Sequence, residues 1–347
     1  MSQLTMASEG DIGYIEAEQF GDNDSALGDG FSESDTESLR SSLFQSVIEN
    51  GRGYHKYKDG LYFIPDDERE QERLDMQHEI FLQTMNRKLL AAPIHSDSLD
   101  VLDLGTGTGI WAIDFADEYP QSTVLGTDLS PIQPSYVPPN CKFEIDDFDQ
   151  PWSFTQKFDL IHGRMLAGAL GDPIHLLQQS LEALKPGGWV ELQDFAFPVR
   201  SDDGTMAGTA FERLNDNLVR GLQLLSRDGG WAAKYKDFME QTGFVNVVEI
   251  KYKWPQNHWP KDKLLKRIGQ WNMFNTLDGL HGFSARLCIK VLGMSVEEFE
   301  LLLAESRVDI QNPKIHAYWP MWVSKNSRLR FFSLTILAQL CCVWTKT

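Results

Sequence analysis

Three glycines at alternate positions follow an apolar run of four residues. The run covers residues 101–104, and the glycines are Gly105, Gly107 and Gly109. Because glycine has no Cβ, a strand that ends in such a turn can bring its backbone close to a ligand. A second apolar run ends in Asp128, whose carboxylate can accept hydrogen bonds from both hydroxyls of a ribose. The pattern predicts one half of a nucleotide-binding α/β fold.

The spacing of the glycines favours one class of cofactor over another. Dinucleotide sites prefer Gly-x-Gly-x-x-Gly, with a helix N-terminus directed at the pyrophosphate. This chain has Gly-x-Gly-x-Gly, with Asp103 two residues before the first glycine. A carboxylate there is unfavourable for a pyrophosphate but favourable for the ammonium and sulfonium groups of S-adenosylmethionine. We therefore expect S-adenosylmethionine, with an NAD-dependent oxidoreductase or a purely structural turn as the alternatives.

Two further residues follow the third apolar run, at the sheet edge where ligands bind in such folds. We expect Asp147 to accept a hydrogen bond from an adenine amino group and Phe148 to contact the ring. The alternative is an ordinary solvated turn. The expected cofactor-binding residues are Asp103, Gly105, Thr106, Gly107, Gly109, Asp128, Leu129, Asp147 and Phe148.

The fourth apolar run ends in a histidine and an arginine that are candidates for catalysis. His162 could act as a general base, since imidazole exchanges protons near neutral pH. Arg164 could bind an anionic substrate or pair with nearby acids. The alternative for His162 is a structural hydrogen bond at the end of a strand.

The chain alternates short apolar runs with helical patterns, which predicts a parallel sheet with helices on both faces. Strands are predicted over 101–104, 123–127, 141–145, 158–162 and 189–193. Helices are predicted over 67–92, 109–118 and 173–184. Two later strand candidates cover 244–252 and 316–323, and the second is weakened by Pro320 unless that residue faces an edge.

Helical insertions over 200–230 and 260–312 are expected to form a lid above the sheet, with His162 and Arg164 facing it. Aromatic and apolar residues could line that lid and select a flat, apolar or aromatic acceptor. The candidates are Trp254, Trp259, Trp271, Met273 and Phe274. The alternative is that these tryptophans fill the protein core.

The composition limits the partners that this chain can have. The 347 residues carry a formal net charge of −18, which disfavours nucleic acid and anionic membranes as partners. Residues 1–50 hold eleven acids and a single base, Arg40, so we expect a disordered acidic tail there.

Cysteines and termini indicate the compartment. The four cysteines lack the spacing of metal ligands, so we expect no metal site and a reducing environment. The N-terminus has no signal-peptide pattern, and the apolar run over 331–344 is shorter than the roughly 20 residues of a membrane span. We therefore expect a cytoplasmic protein.

From residue 51 to about residue 323 the chain resembles the LaeA-like group of fungal class I methyltransferases. The segments that carry the resemblance are the tyrosine-rich 54–65, Glu72-Arg73-Leu74, the glycine motif of 101–111, His162-Gly163-Arg164 and His316-Ala317-Tyr318-Trp319-Pro320. The resemblance implies a doubly wound, Rossmann-like, seven-stranded sheet. It also implies S-adenosylmethionine bound at Gly105, Gly107, Asp128 and Asp147.

The composition and patterns along the chain predict four segments, and the resemblance suggests two functions. The segments are the tail 1–50, an aromatic loop and helix over 51–95, the methyltransferase domain over 96–324, and an atypical tail over 325–347. The first function is methylation of a small molecule in fungal secondary metabolism. The second is regulation of secondary metabolism in the nucleus, through velvet-type protein partners.

Overall fold

The computed structural model describes residues 46–49, 51–55 and 63–329. Strands and helices alternate along the middle of the chain, as the apolar runs predict. The strands are β1 (Ser46–Glu49), β2 (Arg52–His55), β3 (Asp100–Leu104), β4 (Thr123–Asp128), β5 (Cys141–Ile145), β6 (Phe158–Arg164), β7 (Leu184–Phe195), β8 (Arg200–Ser201), β9 (Val245–Pro255) and β10 (Ala317–Ser327). The α-helices are α1 (Glu68–Thr84), α2 (Ile110–Glu118), α3 (Pro173–Ala183), α4 (Ala210–Leu224), α5 (Tyr235–Thr242), α6 (Lys263–Ala285) and α7 (Val296–Gln311).

The central sheet contains eight strands, in the order β5-β4-β3-β6-β7-β10-β8, with β9 paired to β10. Strands β3 to β7 run parallel, whereas β10 lies antiparallel to both β7 and β9. Seven of the eight are full strands, as expected. The eighth, β8, is a two-residue extension that pairs with Ala317 and Tyr318.

Neighbouring residues of the parallel strands point into two separate cores. Val101 packs with Trp111 and Phe115 of α2, whereas Leu102 packs with Leu176 of α3. Successive side chains of a strand point to opposite faces of a sheet, so α2 and α3 cover opposite faces. The expected doubly wound α/β architecture is therefore confirmed.

Two predicted elements differ from the structure in ways that have a local cause. Helix α1 ends at Thr84 rather than at residue 92, because Asn86 and Arg87 adopt positive φ angles of 54° and 64°. The last strand tolerates Pro320 in its interior. The backbone N–H of Ala196 donates a hydrogen bond to the Pro320 carbonyl. On that edge of β10, Pro320 lies in a short gap between the residues that pair with β7 and those that pair with β8. Its ring nitrogen faces that same gap, so no ladder hydrogen bond is lost.

The expectation of disorder through residue 50 is wrong at its end. Residues 46–49 form β1, which pairs antiparallel with β2. Glu49 forms ion pairs with Arg286, at 3.0 Å, and with Lys290. The remainder of the expected acidic tail, residues 1–45, lies outside the described residues.

At the other end of the chain, β10 continues to Ser327, across the predicted boundary at residue 324. Residues 330–347 of the expected tail lie outside the described residues. Within the described part of the chain, no helix combines the length and the apolar character needed to cross a bilayer.

Candidate active site

A cavity lies at the carboxyl ends of the parallel strands and extends from the glycine turn to a cluster of aromatic rings. We name its two parts by their residues. The glycine end is lined by Gly105, Gly107, Asp128, Leu129, Asp147 and Phe148. The aromatic end is lined by Phe195, Phe197, Trp254, Phe283 and Trp319. Both ends belong to one continuous space, so molecules bound at the two ends can meet.

The glycine turn is shaped by backbone angles that other residues rarely adopt. Gly105, Gly107 and Gly109 have φ angles of 61°, 58° and 82°. A Cβ at Gly105 would lie 2.6 Å from Leu166 Cδ2, and one at Gly109 would overlap the ring of Phe143. These two glycines are required by packing, and Gly109 lines neither of the described cavities.

Gly107 differs from its neighbours. A Cβ there would meet only Leu74 Cδ1, at 3.4 Å, and Gly107 lines the cavity. The protein therefore leaves space at Gly107 that a side chain would fill, as expected for a backbone approached closely by a ligand.

Asp128 ends β4 and fastens the glycine turn to it. Its carboxylate accepts hydrogen bonds from the backbone N–H of Gly107 at 2.8 Å and of Ser130 at 2.9 Å. Burial raises the pKa of Asp128 to about 6, although these backbone donors favour the charged form. The carboxylate is held rigidly, at the carboxyl end of the strand beside the turn.

Asp147 and Phe148 lie beyond the end of the neighbouring strand β5 and line the same end of the cavity. The turn that holds them is closed by the backbone N–H of Asp149, which donates to Asp147 Oδ1 at 3.1 Å. The Phe148 carbonyl accepts from Trp152 Nε1 at 3.1 Å, which fixes the segment further. Asp147 is 8% exposed, so its side chain borders the cavity rather than bulk solvent.

Asp103 and His162 lie beneath the glycine turn, in a second and smaller cavity shared with Thr106. His162 Nδ1 donates to Asp103 Oδ1 at 2.7 Å, and Thr106 Oγ1 donates to Asp103 Oδ2 at 2.5 Å. The imidazole also stacks on Trp111, with ring centroids 3.6 Å apart and planes 7° apart.

The structure does not place His162 opposite the helical lid. Its side chain is fully buried between Trp111 and Asp103, and it is absent from the lining of the larger cavity. Its Nε2 atom lacks a hydrogen-bond partner among the described residues. The geometry favours the structural alternative, in which His162 positions Asp103 under the turn.

Arg164 lines both cavities but is already engaged by neighbouring residues. Its guanidinium lies 4.7 Å above the ring of Phe81 and donates to His78 Nδ1 at 2.9 Å. His78 must therefore donate through Nε2, which lies 2.9 Å from Asp114 Oδ2. Burial lowers the pKa of Arg164 to about 10, so the group keeps its charge at neutral pH.

The aromatic end is formed by strands below and by helix α6 above. The Trp319 ring lies 4.9 Å from Phe195 and 5.4 Å from Phe197, both edge-on. Trp254 is the partner of Trp319 across β9 and β10, and its indole N–H is buried without a hydrogen-bond partner among the described residues. Aromatic walls with one free donor suit a flat molecule that carries an oxygen.

Of the five residues expected to line the lid, Trp254 alone is among those that line the cavity. Trp259 is buried elsewhere and donates to the Ala317 carbonyl at 2.9 Å. Trp271 and Phe274 are 37% and 56% exposed on α6, and Met273 is half-buried against the neighbouring core. Three of these four residues, Trp271, Met273 and Phe274, lie on α6, which turns polar side chains as well as Phe283 to the cavity.

That polar face consists of Asn272, Asn275 and Thr276. Asn272 donates to the Pro255 carbonyl at 3.0 Å, and Asn275 accepts from Arg73 at 2.7 Å. Because each polar group has a protein partner, burying this face carries little desolvation penalty. Trp271 and Phe274 therefore lie on the outer face of α6 rather than on its inner one.

Six charged residues of the cavity were not identified as site residues from the sequence, and three of them are Glu70, Arg73 and Asp194. Glu70 and Arg73 of α1 form a buried ion pair at 2.6 Å, and Asp194 lies near the end of β7. Asp194 follows an apolar strand, as Asp128 does, and that signal could have identified it. No group of His, Cys, Asp and Glu within the described ranges is arranged to hold a metal ion.

Comparison with known proteins relates this site to an enzyme family. The model for a methyltransferase domain matches residues 76–249. The chain is 37% identical over 289 residues to methyltransferase pytC of Aspergillus terreus, a match that covers 82% of this chain and 89% of pytC. It is 34% identical over 275 residues to protein-methionine methyltransferase laeA of Emericella nidulans, covering 78% and 73% of the two chains. The chain belongs to the LaeA-like class I methyltransferases.

A third relative points in the same direction. Probable methyltransferase tdiE of Emericella nidulans is 34% identical over 255 residues, or 73% of this chain and 80% of tdiE. The resemblance inferred from the sequence is thus confirmed, and the methyltransferase uses S-adenosylmethionine as its cofactor. The residues of the glycine end fit that molecule, since Gly107 leaves open space beside the half-buried carboxylate of Asp128 and the buried carboxylate of Asp147.

Proposed function

We propose that this methyltransferase modifies a small, flat and largely apolar molecule held in the aromatic end of the cavity. The proposal rests on the observation that the aromatic end and the glycine end are parts of one continuous cavity. A molecule among Phe195, Trp254 and Trp319 would lie next to the cofactor and away from water. Burial of aromatic surface between rings supplies both binding energy and orientation.

In this proposal the residues of the glycine end hold the cofactor. Asp128 accepts hydrogen bonds from the ribose, Asp147 accepts one from the adenine amino group, and Phe148 covers the adenine ring. Gly107 and Leu129 supply backbone and apolar contact. Gly105, Gly109 and Thr106 maintain the turn, and Asp103 adds a negative charge below it, held by His162.

The cofactor supplies an activated methyl group when it is bound. The chain's own residues then need to exclude water and to align the acceptor, and alignment of two reactants can supply most of the rate. Phe63, packed against Leu218 and Leu287, and the face of α6 close the cavity from above. The proposed contribution of the protein to catalysis is therefore mainly to position the two reactants. Arg164 forms part of the cavity wall in this proposal.

The alternative is a regulatory protein that methylates another protein. Its support is the relative named protein-methionine methyltransferase laeA. Under this alternative the methyltransferase would act in the nucleus through velvet-type partners, and a methionine side chain would enter the aromatic end. The relatives pytC and tdiE, named simply as methyltransferases, do not separate the two alternatives.

Transfer of isotope-labelled methyl groups tests the proposal. The full-length protein is incubated with S-adenosylmethionine labelled in the methyl group and an extract of fungal metabolites. Label in a small organic molecule supports the proposal. Label in protein alone, with the same extract present, supports the regulatory alternative and contradicts a small-molecule acceptor.

A further inference from the structure

We propose that Asp194 accepts the proton of the nucleophile, and hence that the acceptor is a flat aromatic molecule with a free O–H group. This inference rests on the proposed function, since it specifies the molecule that occupies the aromatic end. Asp194 lies on β7, next to Phe195, and lines the cavity between the glycine end and the aromatic end.

The position of Asp194 relative to the glycine turn is set by one intervening residue. The backbone N–H groups of Leu166 and Ala167 donate to the carboxylate of Asp194, the latter at 3.2 Å. Leu166 in turn packs closely against Gly105, where an added Cβ would lie only 2.6 Å from Leu166 Cδ2. Asp194 is therefore anchored to the loop that borders the turn, where a group acting on the acceptor must lie.

Tyr235 of α5 is the other group that holds this carboxylate. Its hydroxyl donates to Asp194 Oδ2 at 2.7 Å, and its side chain is fully buried. A carboxylate offers about four lone-pair sites. Tyr235, Leu166 and Ala167 occupy three of them, which leaves one site for a proton that arrives from the cavity.

The surroundings of Asp194 tune it for proton transfer near neutral pH. Burial raises its pKa to about 7, against the three hydrogen bonds that favour its charged form. The groups that face it are Tyr235 from α5, the backbone of Leu166 and Ala167 after β6, and Trp322 across from it on β10. Burial and the charge of Asp194 raise the pKa of Tyr235 well above its ordinary value, so Tyr235 stays a donor.

The proposed step is balanced in atoms and charge. The acceptor oxygen forms a bond to the methyl carbon as the bond from that carbon to the sulfonium sulfur breaks, and the sulfur keeps the electron pair. The O–H proton passes to the Asp194 carboxylate, so the carboxylate and the sulfonium lose their opposite charges together. The products are a methyl ether, neutral S-adenosylhomocysteine and a protonated Asp194.

A base at this position distinguishes between kinds of acceptor. A phenolic hydroxyl is a weak nucleophile until its proton is removed, and removal by a positioned base contributes about 10²- to 10⁴-fold to a rate. A thioether, as in a methionine side chain, has no proton to release and gains nothing from the base. Asp194 therefore favours an aromatic alcohol over a thioether as the molecule in the aromatic end.

The test uses 2-naphthol as a probe and 2-methoxynaphthalene as the matched molecule without an O–H. Binding of each to the full-length protein is measured with S-adenosylhomocysteine present, across neutral pH. We expect 2-naphthol to bind more weakly as pH falls, approaching tenfold per pH unit below about 7, while 2-methoxynaphthalene binds independently of pH. Asp194→Asn should remove the pH dependence and slow methylation of 2-naphthol by about 10²-fold or more.

Tyr235→Phe is a second variant that preserves the carboxylate. The Tyr235 hydroxyl lowers the pKa of Asp194, so its removal should raise that pKa. The midpoint of the pH dependence of 2-naphthol binding should then move to higher pH, whereas a merely structural role for Asp194 predicts no such shift. Asp202 and Tyr318 form a similar pair, with the hydroxyl donating at 2.7 Å, outside the cavity lining. Tyr318→Phe should leave the profile unchanged.

Three results of the naphthol experiments would overturn the inference. They are identical pH dependence for the two naphthalene probes, full pH dependence in Asp194→Asn, or no binding of 2-naphthol at all. Failure of the proposed function has a different signature, namely label that enters only protein in the extract experiment. A small molecule labelled on carbon, nitrogen or sulfur rather than on oxygen would keep the proposed function and reject the role of Asp194.

Discussion

His162 donates a hydrogen bond to Asp103 across two adjacent strands, with Nδ1 and Oδ1 2.7 Å apart. The pair is buried, and the imidazole is stacked on Trp111. A histidine placed in this way holds a carboxylate in position under the glycine turn. Its effect on methyl transfer should therefore come through cofactor binding and stability.

We expect His162→Ala to destabilise the protein by about 1–3 kcal/mol, because Asp103 would lose a buried donor. Cofactor affinity should fall with it, while the pH dependence of turnover stays as in the native protein. Thermal unfolding and calorimetry with S-adenosylhomocysteine measure the two effects. His95→Ala, at an exposed position, serves as the control. Unchanged stability together with loss of the acid limb of the pH–rate profile would restore His162 as the base.

Gly107→Ala should block the cofactor with little effect on packing. The new Cβ would meet only Leu74, at 3.4 Å, but would occupy the open space of the glycine end. Gly204 offers a matched control, since its φ of 73° is equally unfavourable for alanine and nothing lies within 4 Å. Both variants should lose a similar stability, of about 1–2 kcal/mol from the backbone alone. Cofactor affinity should fall in Gly107→Ala only, and equal affinity in the two variants would contradict the assignment.

Cofactor binding should weaken in acid because of Asp128. Burial raises its pKa to about 6, so below that pH the free protein carries a proton on the carboxylate. Ribose hydroxyls donate to the ionised form, so affinity should fall by about tenfold for each pH unit below about 6. Calorimetry over that range measures the slope. Asp128→Asn should bind weakly at every pH, and an acid slope that survives in this variant would assign the titration to another group.

The raised pKa of Asp128 makes cofactor affinity rise with pH, but it makes the stability of the free protein fall with pH. The folded-state pKa of Asp128, about 6, lies above its value of 3.8 in an unfolded chain. Between these values the folded protein holds a proton that the unfolded chain has released, so Asp128 makes stability fall as pH rises through this window. Stability and cofactor affinity should therefore respond to Asp128 in opposite directions.

The N-terminal hairpin can be tested by two truncations that differ by four residues. Removal of residues 1–45 leaves β1 in place, and the acidic, Ser-rich composition predicts little change in melting temperature. Removal of residues 1–49 also deletes Glu49, to which the buried Arg286 donates at 3.0 Å. We expect the second truncation to lower the melting temperature by several degrees. Equal melting temperatures would show that the ion pair contributes nothing measurable.

Much of the fold could be predicted because its signals are local. Strands β3 to β6 each begin within one residue of the predicted start, since short apolar runs between turn residues mark buried parallel strands. The glycine motif was equally clear, because positive φ angles at Gly105, Gly107 and Gly109 restrict the residue type. These features depend on a few neighbouring residues and need no tertiary information.

The lid could not be predicted in the same way. Trp271 and Phe274 suggested an apolar inner face for α6, yet Asn272 and Asn275 face the cavity because Pro255 and Arg73 satisfy them. Partners so distant along the chain have no sequence signature. The pairing of His162 with Asp103 could not be predicted for a similar reason, since it depends on the register of β3 and β6.

The final prediction concerns two buried tryptophans that differ in the partner of the indole N–H and in whether they line the cavity. Trp254 Nε1 lacks a partner among the described residues and its side chain lines the cavity, whereas Trp259 Nε1 donates to the Ala317 carbonyl. In Trp254→Phe we expect stability to stay near the native value, since no protein hydrogen bond is lost. Affinity for 2-naphthol should fall by about 2- to 10-fold, which corresponds to one hydrogen bond of about 0.5–1.5 kcal/mol.

Trp259→Phe should show the reverse. It removes one of two buried donors to the Ala317 carbonyl, the other being the Gln256 N–H at 2.9 Å, so stability should fall by about 0.5–1.5 kcal/mol. Its affinity for 2-naphthol should stay unchanged, because Trp259 does not line the cavity. Thermal unfolding and fluorescence titration of both variants measure this crossed pattern. Equal losses of naphthol affinity would mean that the indole N–H of Trp254 does not reach the acceptor, and the oxygen of the acceptor would then need a different donor.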